Sequence, residues 1–260
     1  MSDYRYITAT IEDGVATITL NRPESLNALM PEMLDEVVEA VYAVPEQGAR
    51  AIILTGAGRG FCSGTDLDAK RGGLPKDVGA ILEHHYNPAL EKIMDAPLPM
   101  VAAVHGAVAG IGCSLALACD FVVAARSSYF LQAFINIGLV PDGGATWMLP
   151  RLIGRARAIE MMMLGERVPA EKAESWGLIH KCVDDEELGS QARALALRLS
   201  QAPTVALGLI RKGVTQAMEF TFPQTLAMER RNQRDAGHSA DFAEGVQAFL
   251  TKRPATFEGQ

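Results

Sequence analysis

Met100–Ala125 reads MVAAVHGAVAGIGCSLALACDFVVAA, and its order of elements decides the fold. Two continuously apolar runs, Met100–Val104 and Asp120–Ala125, flank a glycine-rich loop and a helix predicted over Cys113–Cys119. Uniformly apolar strands joined through a helix belong to a parallel sheet covered on both faces. Toward the N-terminus, Ala51–Thr55 is another such strand, ending in the glycine-rich Gly56–Gly64. Tyr6–Ile11 and Val15–Asn21 alternate in period two around Glu12-Asp13-Gly14, which predicts a β-hairpin. Pro31 opens an amphipathic helix with Met33, Leu34, Val37, Val38 and Val41 on one side, and a further helix is predicted over Val78–Met94. This repeated two-strand-and-helix theme implies an α/β fold with a parallel-rich sheet and outer helices.

From Arg155 onward the pattern is helical: Ala156–Leu164, Pro169–Trp176, Glu186–Ser200, Thr204–Met218, Pro223–Ala236 and Asp241–Leu250. The chain divides at Ala202-Pro203 into a core over residues 1–200 and a helical region over 201–260. At 260 residues it can bury a sizeable core, and a net charge of −7 argues against nucleic acid as the main partner. The four cysteines show no metal-ligand or disulfide spacing, so neither a metal nor a disulfide framework is expected. With no signal pattern and no run of about 18 apolar residues, a soluble cytoplasmic protein is expected.

One acid stands in the nearly uncharged run Phe130–Arg151. Asp142 sits in Val140-Pro141-Asp142-Gly143-Gly144. Pro-Asp-Gly-Gly is strong turn chemistry, which alone accounts for an aspartate. A carboxylate in apolar surroundings is also costly to ionise, so burial raises its pKa toward what a general base for carbon protons needs.

Two glycine-rich loops follow strands, Gly56–Asp66 and His105–Ser114. Backbone N–H groups converging from two such loops can hold an oxyanion. Other chemistries fit less well. Thr55–Gly60 lacks the GxGxxG spacing, and the chain has no Tyr-x-x-x-Lys pair and no GxxxxGK loop. Gly112-Cys113-Ser114 begins like a nucleophile elbow but lacks its second glycine, and none of the five histidines has a distinguishing context.

Taken together, Leu20–Glu24 with Leu26-Asn27-Ala28, Arg59–Leu67, Val108–Asp120 and Gly138–Pro150 resemble the enoyl-CoA hydratase/isomerase (crotonase) superfamily, in order over nearly the whole chain. The resemblance implies a ββα-spiral core that binds an acyl-CoA thioester and a helical C-terminal trimerisation region. Assembly as a homotrimer or a dimer of trimers follows from it, with no cofactor beyond the CoA of the substrate. It places the two oxyanion donors at the backbone of Cys62 and of Ile111, or of Gly110 in the adjacent register. It puts CoA near Ser63, Gly64, Thr65, Asp66 and Leu67, with Asp66 bracing that loop. Arg22, Lys252 and Arg253 are its candidate cations for the CoA phosphates.

The departures from the family pattern narrow the function. The two glutamates of a hydratase align with Ser114 and Phe134, neither of which transfers a proton as a carboxylate does. Asp142 remains, at a turn where some isomerases of the superfamily carry their single acid. Tyr86-Asn87-Pro88, Ile137–Asp142 and Gly154–Ala158 resemble the ring-epoxide isomerases of phenylacetate catabolism in particular. The expectation is an acyl-CoA isomerase, by double-bond shift or by ring-epoxide isomerisation, with Asp142 as acid–base. A hydratase and a silent acyl-CoA-binding homologue are the alternatives. Phe130, Phe134 and Trp147 are candidates for an apolar acyl pocket.

Overall fold

A computed structural model of the chain describes residues 4–67 and 77–260. Strands β1 (Ile7–Glu12) and β2 (Val15–Leu20) form an antiparallel hairpin. Its turn residues Asp13 and Gly14 both take positive φ (+50° and +73°). Asp-Gly suits that turn because both central positions of a tight hairpin of this hand require positive φ.

Helix α1 (Pro31–Ala43) leads to β3 (Ala51–Gly56), which pairs in parallel with β2. The stretch predicted as one helix over Val78–Met94 is interrupted. It comprises α2 (Val78–Ile81), a π-helical turn over Leu82–Tyr86 and α3 (Asn87–Met94). The polar residues expected between β3 and α2, Lys70 to Gly73, lie outside the described residues.

Strand β4 (Met100–Val104) precedes β5 (Ala107–Ala109), α4 (Ile111–Leu117), β6 (Phe121–Ala125) and β7 (Tyr129–Leu131). Next come α5 (Ala145–Leu164), broken at Gly154 (φ 76°, ψ 160°), β8 (Val168–Pro169), α6 (Ala170–Trp176) and β9 (Lys181–Val183). The main sheet runs β1-β2-β3-β4-β6-β9 and is parallel beyond the hairpin. A second sheet, β5-β7-β8, forms a separate layer.

Alternation along β3 explains the layering. Ile52 and Leu54 face one core with α1 residues such as Leu34 and Val37, whereas Ala51 and Ile53 face α7 (Leu188–Ser200) through Ala192, Ala196 and Leu199. Helices α8 (Thr204–Ala217), α9 (Phe222–Gly237) and α10 (Ala240–Thr251) follow. Arg211 anchors α8 to the core through Asp120 at 2.6 Å and the carbonyls of Ala96 and Ile93. Arg50 ties the tail down through Phe257 O at 2.6 Å and Ala202 O at 2.7 Å. No described helix is long and apolar enough to cross a membrane.

Candidate active site

The two glycine loops meet where the second sheet touches the first. Cys62 and Val108 form a parallel bridge, in which Cys62 N donates to Ala107 O at 3.0 Å and Ala109 N to Cys62 O at 2.9 Å. The expectation for Cys62 is therefore corrected: its N–H is spent on Ala107 and cannot hold an oxyanion.

A second bridge, Leu29 with Thr65, supplies the replacement. Leu29 N donates to Gly64 O at 2.7 Å, and Asp66 N donates to Leu29 O at 2.8 Å. Successive N–H groups of an extended segment point to opposite sides. The Thr65 N–H therefore faces away from Leu29, and among the described residues it has no hydrogen-bond partner.

On the other loop, Gly110 takes φ +54° and ψ −129° and donates its N–H to Leu131 O at 2.8 Å. That bond removes the Gly110 register and leaves Ile111, the first residue of α4, whose N–H has no partner within its helix. A β-carbon on Gly110 would sit 3.6 Å from Gly64 Cα, so the bare glycines let the two donor segments approach.

The turn bearing Asp142 closes onto α4. A β-carbon on Gly143 (φ +57°) would lie 2.9 Å from Ile111 Cγ1 and 3.1 Å from both Ser114 Cβ and Leu90 Cδ1. Ser114, fully buried, donates its hydroxyl to Asp142 O at 3.3 Å, and Ala145 N donates to the same carbonyl at 3.1 Å. The serine thus pins the turn that carries Asp142. Asp142 Oδ1 is buried and has no partner among the described residues. Burial pushes its carboxyl from 3.8 up to about 6, because the charged form loses hydration. The site therefore joins two free backbone donors to one weakly acidic carboxyl.

The other expected site residues divide clearly. Phe134 is buried, with its ring tip 3.5 Å from where a Gly110 β-carbon would stand. Leu67 is exposed, and Ser63 donates its hydroxyl to Ser25 O at 3.2 Å. Arg22 is corrected as a CoA cation, because its guanidinium pairs with Asp66 at 2.9 Å with both side chains only 11% exposed. That pair braces the Gly64–Asp66 segment. Arg253, on the surface, pairs with both oxygens of Glu244 at 2.6 and 2.7 Å. Lys252 is exposed, at the left-handed cap of α10 (φ +53°). Phe130 belongs to the central core rather than an acyl pocket, and the Trp147 ring lies 4.3 Å under the Arg151 guanidinium.

Two residues, Asn27 and Tyr86, join the site without a prior expectation, and Thr65, expected beside CoA, takes a different place. Asn27 holds the Gly56–Gly60 loop by donating to Ala57 O and Gly60 O, each at 2.8 Å. The Thr65 N–H stays free where that of Cys62 is spent. Tyr86, fully buried on the π-helical turn, donates to Leu29 O at 3.0 Å. A phenol inside an apolar helix face, next to Asn87-Pro88, is the one sequence signal that marked it.

The sequence and fold match known proteins over their full lengths. A sequence profile of the enoyl-CoA hydratase/isomerase family matches residues 10–260. A 1,2-epoxyphenylacetyl-CoA isomerase of Escherichia coli K12 is 45% identical over 98% of this chain and 99% of its own. A probable enoyl-CoA hydratase of Rhodobacter capsulatus is 46% identical over 99% of each chain. A solved enoyl-CoA hydratase subunit from Geobacillus kaustophilus superposes with a TM-score of 0.92 at 35% identity, over all of both chains. On this agreement of sequence and fold, the chain belongs to the enoyl-CoA hydratase/isomerase family and has the crotonase fold.

Proposed function

We propose that this chain isomerises acyl-CoA thioesters through an enolate, with Asp142 as the single acid–base. The observation that carries the reading is the buried, unpartnered Oδ1 of Asp142 on a turn packed against Ile111; the family resemblance adds that Ser114 and Phe134 stand where a hydratase carries its acids. With a 3-enoyl-CoA, the Asp142 carboxylate takes a proton from C2. The electron pair delocalises onto the thioester oxygen, where the N–H groups of Thr65 and Ile111 hold it. Protonated Asp142 then returns the proton at C4, and the double bond moves from C3–C4 to C2–C3. No water is consumed and no net proton is lost. A carboxyl near 6 serves both steps, being ionised at neutral pH yet a competent donor once protonated.

The same donors would stabilise charge during ring opening of an epoxide of the phenylacetyl-CoA type, toward an oxepin. The relative named for 1,2-epoxyphenylacetyl-CoA supports that substrate class and a place in phenylacetate catabolism. The CoA moiety runs past Ser63–Leu67, and Lys252 and Arg253 are candidate cations for the phosphates of a neighbouring subunit's CoA. Exposed apolar side chains on α8–α10, among them Ile210, Val214, Phe222, Phe249 and Leu250, support assembly as a homotrimer or a dimer of trimers.

A second reading, enoyl-CoA hydration, is favoured by the name of the Rhodobacter capsulatus relative. Turnover assays separate the two. Isomerisation of 3-enoyl-CoA or of the epoxyphenylacetyl thioester, lost in Asp142→Asn, is the expected result. Hydration of crotonyl-CoA that survives this substitution, with no isomerisation of either substrate, would overturn the proposal.

A further inference from the structure

The π-helical turn between α2 and α3 touches both halves of the site. Such turns interrupt an α-helix for a single turn and recur at functional sites. Here the buried residue of the turn is Tyr86, whose hydroxyl donates to Leu29 O at 3.0 Å. One helical turn later, Leu90 packs against the position a Gly143 β-carbon would take, beside Asp142.

Leu29 is the residue that sets the register of the donor strand. Its carbonyl already accepts from Asp66 N, and its N–H donates to Gly64 O, so Thr65 is fixed between two bonds to one residue. With Tyr86 added, both lone pairs of the Leu29 carbonyl are used. The carbonyl cannot rotate without breaking two bonds at once. Burial, and secondarily the nearby Asp142 charge, push the Tyr86 phenol well above its ordinary range, so it stays a neutral donor.

We propose that Tyr86 is a positioning residue, fixing the Leu29 carbonyl and through it the aim of the Thr65 N–H at the thioester oxygen. This rests on the enolate reading above. It assigns the helical segment a role in catalysis without contact to the reacting atoms.

The test compares Tyr86→Phe with the parent, using [1-13C]phenylacetyl-CoA as probe. Infrared spectra of the bound thioester report carbonyl polarisation, which general folding defects do not mimic. The parent should shift the carbonyl stretch to lower frequency. Tyr86→Phe should shift it less and lower kcat roughly tenfold, with KM within about twofold, as expected for a modest misplacement of a catalytic donor. Replacing Tyr86 by 4-aminophenylalanine, which keeps a donor at the same reach, should restore both. A Tyr86→Phe protein with the parent's shift and kcat overturns the inference, as does failure of the 4-amino variant to restore them. Absence of any shift in the parent overturns the enolate reading itself, and the inference with it.

Discussion

Replacing Asp142 by Asn should remove activity and at the same time stabilise the protein at neutral pH. The folded carboxyl titrates near 6 against 3.8 for an unperturbed group, so the native state binds its proton more tightly than the unfolded chain does. By linkage, parent stability falls as pH rises from about 4 to about 6, and the deficit is constant above that window. A shift of roughly 2 units at about 1.4 kcal/mol each is about 3 kcal/mol, which solvent screening of this half-buried group lowers to about 2 kcal/mol. Burying an Asn amide where Oδ1 has no partner takes back part of this, leaving a gain of about 1 kcal/mol. For a chain of this size that is a rise in Tm of roughly 3 °C. Calorimetry at fixed protein concentration, at about pH 7.5 and about pH 4.5, reads the difference. The gain should be full at the higher pH and largely lost at the lower. An equal change at both values, or a loss of stability at the higher one, would refute the view that Asp142 is a strained carboxylate.

Other expectations follow from the same geometry. For the parent, kcat/KM should rise about tenfold per pH unit below the Asp142 pKa, level off above about 6, and lose this limb in Asp142→Asn, as steady-state profiles will show. Ile111→Pro deletes one donor at the first residue of α4, where proline is well tolerated in helices. It should lower kcat by roughly 10²–10³-fold with the circular dichroism spectrum retained, and a fully active Ile111→Pro would exclude that donor. Gly143→Ala forces a β-carbon against Ile111 and Ser114 at positive φ, and should cost about 2 kcal/mol in denaturant unfolding while lowering kcat.

The sheet was legible because its strands carry unambiguous signals. Ala51–Thr55 and Met100–Val104 are uninterrupted apolar runs, and Asp13-Gly14 is a hairpin turn with its own chemistry. Asp142 was legible because few charges surround it in sequence. The donor on the first loop was not. Gly-Phe-Cys-Ser-Gly-Thr-Asp marks a candidate oxyanion loop, yet which N–H stays free depends on partners far away in the chain. Ala107 takes the Cys62 N–H and Leu29 leaves that of Thr65, and neither pairing has a local signature. Arg22 failed as a CoA cation for a related reason, since a free charge and a buried, paired one look alike in sequence. Asp66 neutralises it at a distance only the fold reveals. The π-helical turn was hidden because Leu82–Tyr86 keeps a helical composition while shifting the register by one residue, which is what buries Tyr86 and leaves His84 and His85 exposed.

Proton exchange at C2 of a bound acyl-CoA tests the enolate claim most directly, because it requires neither the true acyl group nor turnover. Phenylacetyl-CoA incubated with the protein in deuterated buffer is followed by NMR or mass spectrometry, beside Asp142→Asn. Exchange with the parent, reduced at least about 10²-fold in the variant, is the predicted result. Exchange at the same rate in both proteins would contradict the assignment of Asp142 as the base.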